Sequence, residues 1–104
     1  MITEQTIEQI KSILLAEQEI EQIILFGSQT RGDADENNDI DLLLISKNIQ
    51  NRFELMRSIR RKLHSIPFDF DILTITPEEY DRDRQICGTL ARYASQDGKV
   101  IYAS

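Results

Sequence analysis

A small α+β domain, α/β-like in its alternation, with a mixed β-sheet and helices packed against it, is the fold class that this 104-residue chain predicts. Three observations carry that expectation. Short aliphatic and β-rich runs recur at residues 23–26, 39–46 and 68–75, amphipathic helical stretches separate them, and one sharply signalled helix start stands at Thr76-Pro77-Glu78-Glu79. The length suits a single core and leaves no room for a second lobe, so residues 1–104 are read as one domain.

In the first segment Ile7, Ile10, Ile13 and Leu14 fall on one face of a helix over residues 3–17, with Thr3 as N-cap and Glu4 in the first turn. Ile23-Ile24-Leu25-Phe26 then makes a short buried strand closed by Gly27. After an acidic loop, residues 39–46 form a second strand whose run Leu42-Leu43-Leu44-Ile45 needs cover on both faces. Phe53, Met56, Ile59 and Leu63 place an apolar stripe on a second helix that Pro67 terminates. Its other face carries Arg52, Arg57, Arg60, Arg61 and Lys62, which suit any solvated helix; a docking surface for a partner is the functional alternative.

Residues 68–75 read as a third strand. Thr76 as N-cap, Pro77 at the first helical position and Glu79 at the third complete a capping box. The helical pattern continues through Tyr80, Ile86, Leu90 and Tyr93, with a break allowed at Gly88. Gly98 supplies a stop, and Val100-Ile101-Tyr102 a short edge strand. Tyr80, Tyr93 and Tyr102 are expected to pack, His64 to end a helix without chemistry, and Cys87, set in an apolar helical pattern, to be a buried thiol.

Bulk properties exclude several function classes. Eighteen acidic against 12 basic residues leave a net charge of −6, which argues against direct nucleic-acid binding by phosphate neutralisation. The single cysteine cannot form an internal disulfide, and nothing in the spacing brings it to the single histidine. The start lacks the basic and apolar regions of a signal peptide, and no apolar run approaches the ~20 residues of a membrane span. A cytoplasmic protein with no membrane contact is the expectation.

Chemistry concentrates between residues 27 and 44. Gly27 and Gly32 have P-loop separation, but Asp33 stands where Lys is needed and would repel phosphate. Asp33, Asp35, Asn37 and Asp39 imitate a calcium loop, yet Asn38 replaces its glycine and Leu44 its bidentate glutamate. A third reading takes Gly27-Ser28, ten residues, and Asp39-x-Asp41 as one device. Asp39 and Asp41 lie two apart on a strand, so they share a face with Cα atoms roughly 6–7 Å apart. A pair of Mg²⁺ ions about 3.5–4 Å apart can be bridged from such positions. The Gly-Ser turn exposes N–H groups and a hydroxyl to a triphosphate. Such a site performs phosphoryl or nucleotidyl transfer, and a third carboxylate is expected on a neighbouring strand. Asp69 and Asp71 are the candidates; Asp71 is favoured for its place directly before Ile72-Leu73. Arg31 suits either a surface ion pair with Asp33 or Asp35 or a phosphate contact, and Asp33, Asp35 and Glu36 suit a solvated loop.

The string Gly27-Ser28, Arg31-Gly32 and Asp39-Ile40-Asp41-Leu42 resembles the nucleotidyltransferase superfamily of polymerase-β-like folds, and more narrowly the minimal nucleotidyltransferase (MNT) family, which includes antitoxins paired with HEPN toxins. Phe70-Asp71-Ile72 leading into Thr76-Pro77-Glu78-Glu79, and Gly98-Lys99-Val100-Ile101-Tyr102, fit the same pattern; Asn38 stands where Ser is common. The resemblance implies a polymerase-β-like nucleotidyltransferase core, with triphosphate binding by Gly27 and Ser28, metal ligation by Asp39 and Asp41, and a third-carboxylate role for Asp71, with Arg31 near the nucleotide. It further implies Mg²⁺-dependent transfer of AMP from ATP to a tyrosine hydroxyl of a HEPN toxin, acting as an antitoxin in a hetero-oligomer with that toxin. Two alternatives stand beside it: a binding module that neutralises its partner by stoichiometric contact, and the catalytic subunit of a small-molecule nucleotidyltransferase. A chain this short lacks room for an acceptor-binding domain, which favours a protein acceptor that brings its own docking surface.

Overall fold

The computed structural model describes residues 3–16, 20–26, 39–47 and 49–103. Helix α1 (Glu4–Leu15) is capped as expected: the Thr3 hydroxyl accepts from the Thr6 N–H at 3.2 Å, and Ile10 and Leu14 are buried. Strand β1 (Ile20–Phe26) begins three residues before the expected 23, because Ile20 is itself buried and pairs with Ser46. The polar pair Glu21-Gln22 masks that extension in the sequence, and the pairing shifts register there. Strand β2 (Asp39–Ser46) has the expected bounds.

Helix α2 (Arg52–Lys62) starts at Asn51, whose side chain accepts from the Glu54 N–H at 3.1 Å, and ends in a 3-10 turn (Leu63–Ser65) ahead of Pro67. Its inward stripe is Leu55, Ile59 and Leu63, spaced i, i+4, i+8. Phe53, expected on that stripe, is 79% exposed: the register that faces the sheet places Leu55 where Phe53 was expected. Strand β3 (Asp69–Ile75) follows, then α3 (Pro77–Asp83), α4 (Leu90–Asp97) and β4 (Lys99–Ala103). The capping box is complete: the Thr76 hydroxyl accepts from the Glu79 N–H at 3.1 Å and the Glu79 carboxylate from the Thr76 N–H at 2.9 Å.

Gly88, at φ +91°, divides the last helical stretch in two. That division corrects the reading of Cys87, which lies exposed in the connection between α3 and α4. A continuous helix would have given it a buried face; a positive-φ glycine beside it takes it out of the helical phase altogether.

The sheet order is β3-β2-β1-β4, with β2 and β3 parallel and the other pairs antiparallel. Successive residues alternate between two cores. Leu42, Leu44, Ile23 and Leu25 pack with α1 and α2 on one face. Leu43, Ile45, Ile24, Phe26 and Ile75 pack with Ala91 and Ala94 of α4 on the other. This double burial explains the unbroken apolar run of β2. No helix among the described residues is long and apolar enough to cross a membrane.

Candidate active site

Strand register decides which carboxylates meet. Asp41 lies directly opposite Asp71, and Asp39 opposite Asp69, in the parallel β2/β3 pair. On the other side of β2, Phe26 pairs with Asp41. Two rungs therefore cross the sheet: Asp39 with Asp69, and Phe26 with Asp41 and Asp71. Neighbouring strands lie about 4.8 Å apart and the rungs roughly 7 Å apart, so four aspartate positions occupy a patch the size of a triphosphate. Asp41 is half-buried, whereas Asp69 and Asp71 are exposed.

The second core fixes this patch in place. Asp41 alternates with Leu43 and Ile45, and Asp71 with Leu73 and Ile75, so the carboxylates continue the face that α3 and α4 cover further along. Phe26, the last residue of β1, is buried and meets the Tyr93 ring edge-on, with centroids 5.8 Å apart at 62°. That contact anchors the carboxyl end of β1. Tyr80 packs on the same core, and burial pushes its phenol up in pKa, as suits a packing role for a neutral ring.

Gly27, Ser28 and Arg31, expected to bind nucleotide, lie outside the described residues, as does the Asp39 side chain. Among the described residues, no three His, Cys, Asp or Glu side chains are grouped closely enough to hold a metal ion on their own. The donor set is nevertheless of the right kind. Asp41, Asp69 and Asp71 are hard oxygen donors, and Mg²⁺ binds through one or two carboxylates together with water and phosphate oxygens.

The structure also brings in residues that sequence reasoning passed over. A cleft of about 350 Å³ at the β3 edge is lined by Asp69 and Asp71 together with Arg60, His64, Phe68 and Phe70. The signal available in the sequence was chain order: a parallel crossover returns the end of α2 to the start of β3.

Sheet, crossover and carboxylate rungs define a nucleotidyltransferase core. The chain belongs to the family described as "Polymerase beta, Nucleotidyltransferase", which matches residues 8–104. It is similar to a Methanocaldococcus jannaschii protein provisionally named a protein adenylyltransferase, at 39% identity over 92 residues, covering 77% of this chain and 56% of that protein. The chain thus spans little more than half the length of that relative. Among solved structures it resembles a toxin–antitoxin complex with AMP-PNP (19% identity, TM-score 0.66, 94% of this chain and 73% of that one). It also resembles a tri-AMPylated Shewanella oneidensis HEPN toxin in complex with MNT antitoxin (18% identity, TM-score 0.59, 94% and 70%). Those two likenesses are of fold.

Proposed function

We propose that the chain is a Mg²⁺-dependent protein adenylyltransferase that moves AMP from ATP to a hydroxyl, a tyrosine in the resemblance, of a HEPN toxin, and so acts as that toxin's antitoxin. The observation that carries the reading is the register of Asp41 opposite Asp71, one rung from Asp39 opposite Asp69, at the sheet end where β1 runs out at Phe26. The name of the Methanocaldococcus relative and the HEPN/MNT complex among the neighbours support the choice of a protein acceptor.

In this reading the residues divide the work as follows. Gly27 and Ser28 bind the triphosphate through backbone N–H groups and a hydroxyl, with Arg31 as an added cation. Asp39, Asp41 and Asp71 would hold Mg²⁺, which supplies charge neutralisation to the phosphates when bound. The acceptor oxygen forms a bond to the α-phosphorus, the bond from that phosphorus to the β-bridging oxygen breaks, and pyrophosphate leaves with the electron pair. The Asp71 carboxylate takes the proton of the acceptor hydroxyl. All three aspartates stand on strands, Asp39 and Asp41 on β2 and Asp71 on β3, which fixes where their backbones lie relative to one another.

The test is direct. Incubation with ATP, Mg²⁺ and the cognate HEPN toxin should add one or more AMP masses to the toxin, read by intact mass spectrometry. The double variant Asp39→Asn/Asp41→Asn should add none; undiminished transfer by it would overturn the assignment.

A further inference from the structure

The cleft at the β3 edge carries a guanidinium and an imidazole that the chemistry above leaves unused. Arg60 stands in the last turn of α2 and His64 in the 3-10 turn that follows, and both line this cleft with Asp69 and Asp71. Leu63, which is buried, and the half-buried Phe68 and Phe70 form the apolar part of the lining. A guanidinium sharing a cleft with carboxylates ordinarily closes on them. Here it does not: Arg60, His64, Asp69 and Asp71 are all exposed, and among the described residues neither Arg60 nor His64 makes an ion pair or hydrogen bond with either carboxylate. The guanidinium fork and the imidazole N–H therefore remain available as donors.

We infer that this cleft is the acceptor-side subsite, in which Arg60 and His64 hold an anionic group of the acceptor polypeptide next to the hydroxyl that faces Asp71. The inference rests on the nucleotidyl-transfer reading. In that reading the nucleotide triphosphate belongs to Gly27-Ser28 on the β1 side, whereas the cleft lies beyond β3, two strands away in the order β3-β2-β1. An anion approaching a face of aspartates on a chain of net charge −6 is repelled unless fixed cations stand at the point of entry. Arg60 is such a cation, and His64 adds a hydrogen-bond donor beside it in the same lining. About 350 Å³ accommodates one or two side chains and not a folded segment. The anion has two possible sources with the same chemistry: an Asp or Glu side chain of the acceptor, or the phosphodiester of an AMP group already attached to it.

The double variant Arg60→Ala/His64→Ala, both positions being exposed, should keep the wild-type melting curve. With the cognate HEPN toxin as acceptor, its KM for toxin should rise at least roughly tenfold, the loss of the charge-assisted hydrogen bonds that the two donors make to the anion, with the KM for ATP unchanged. Arg60→Lys, in the presence of His64, should recover part of the affinity. Slowing of the first AMP addition identifies an acceptor carboxylate as the anion; a normal first addition followed by failure of later ones identifies the phosphodiester. An unchanged toxin KM with an unchanged AMP count overturns the inference, as does an equal rise in the KM for ATP. Absence of any transfer by the wild-type protein is a separate result that removes the nucleotidyl-transfer reading itself.

Discussion

Glu79 joins two helices, and its removal gives a magnitude that can be worked out from the contacts. Its Oε1 accepts from the Thr76 N–H at 2.9 Å, which caps α3, and from Arg52 Nη2 at 2.8 Å, which ties the start of α2 to the start of α3. Loss of the reciprocal cap costs about 1 kcal/mol. The ion pair, with side chains 40% and 28% exposed, is screened by solvent and adds about 0.5 kcal/mol. Glu79→Ala should therefore destabilise the protein by about 1.5 kcal/mol, and for a domain near this size the melting temperature should fall by roughly 6–12 °C. Arg52→Ala should lower it by only about a third as much. The backbone N–H of Thr76 foremost, with the Arg52 guanidinium, holds the Glu79 carboxyl below its ordinary value of 4.5, against the opposing effect of burial. A depressed carboxylate binds its proton less tightly when folded than when unfolded. Its stabilisation is thus full above the ordinary value and is lost as the pH falls through the depressed folded value. Melting curves by circular dichroism at neutral and strongly acid pH test both statements. A Glu79→Ala curve superimposed on wild type at neutral pH, or a gap that stays constant into strong acid, would refute the reasoning.

Three further outcomes follow from other positions. Asp71→Asn should lower the transfer rate by roughly 10²-fold or more, as expected for loss of a general base, while Asp69→Asn retains most of it; equal losses in initial-rate assays would spread the third-carboxylate role over both rungs. Thr74 is fully buried and its hydroxyl has no hydrogen-bond partner among the described residues, so Thr74→Val should stabilise by about 1 kcal/mol in urea titrations. Gly98→Ala should destabilise by about 1–3 kcal/mol in the same titrations, because the added Cβ would stand 2.6 Å from Ile24 Cγ2 and closer still to the Ala94 carbonyl oxygen.

Local signals were legible where one residue pair decides the structure. The Thr76–Glu79 box, the Thr3 cap and the bounds of β2 follow from side chains next to the boundary. Phe53 was misjudged because Phe53-Met56-Ile59-Leu63 and Leu55-Ile59-Leu63 are both acceptable helical stripes, and only packing on the sheet selects between them. Cys87 was misjudged for a related reason, since one glycine at positive φ outweighs an apolar pattern on either side. The Asp39-x-Asp41 spacing identified one strand of the candidate site, and the carboxylates at the head of the third strand, Asp69 and Asp71, stood out as its partners. Which rung each occupies was not legible, because the register at which β3 meets β2 depends on how α2 packs across the intervening crossover. For the same reason Arg60 and His64 read as an ordinary solvated helix end, although they border the carboxylates in space.

The mixed sheet itself is a requirement of such a site. In doubly wound parallel sheets, ligands gather at the carboxyl ends of the strands, yet Asp39, Asp41, Asp69 and Asp71 stand at the amino ends of β2 and β3. They still lie beside the carboxyl end of β1, because β1 runs antiparallel to β2 and its final residue, Phe26, pairs with Asp41. Were β1 parallel to β2, its carboxyl end would lie beside Ser46, the length of the strand away from the aspartates. The parallel β2/β3 pair is equally necessary, since it sets the amino ends of two aspartate-bearing strands side by side. An antiparallel neighbour to β1 and a parallel neighbour to β3 thus impose opposite demands on β2, and a mixed sheet is the arrangement that meets both. The central position of β2, whose residues 42–46 are buried, then holds that placement from both faces of the sheet.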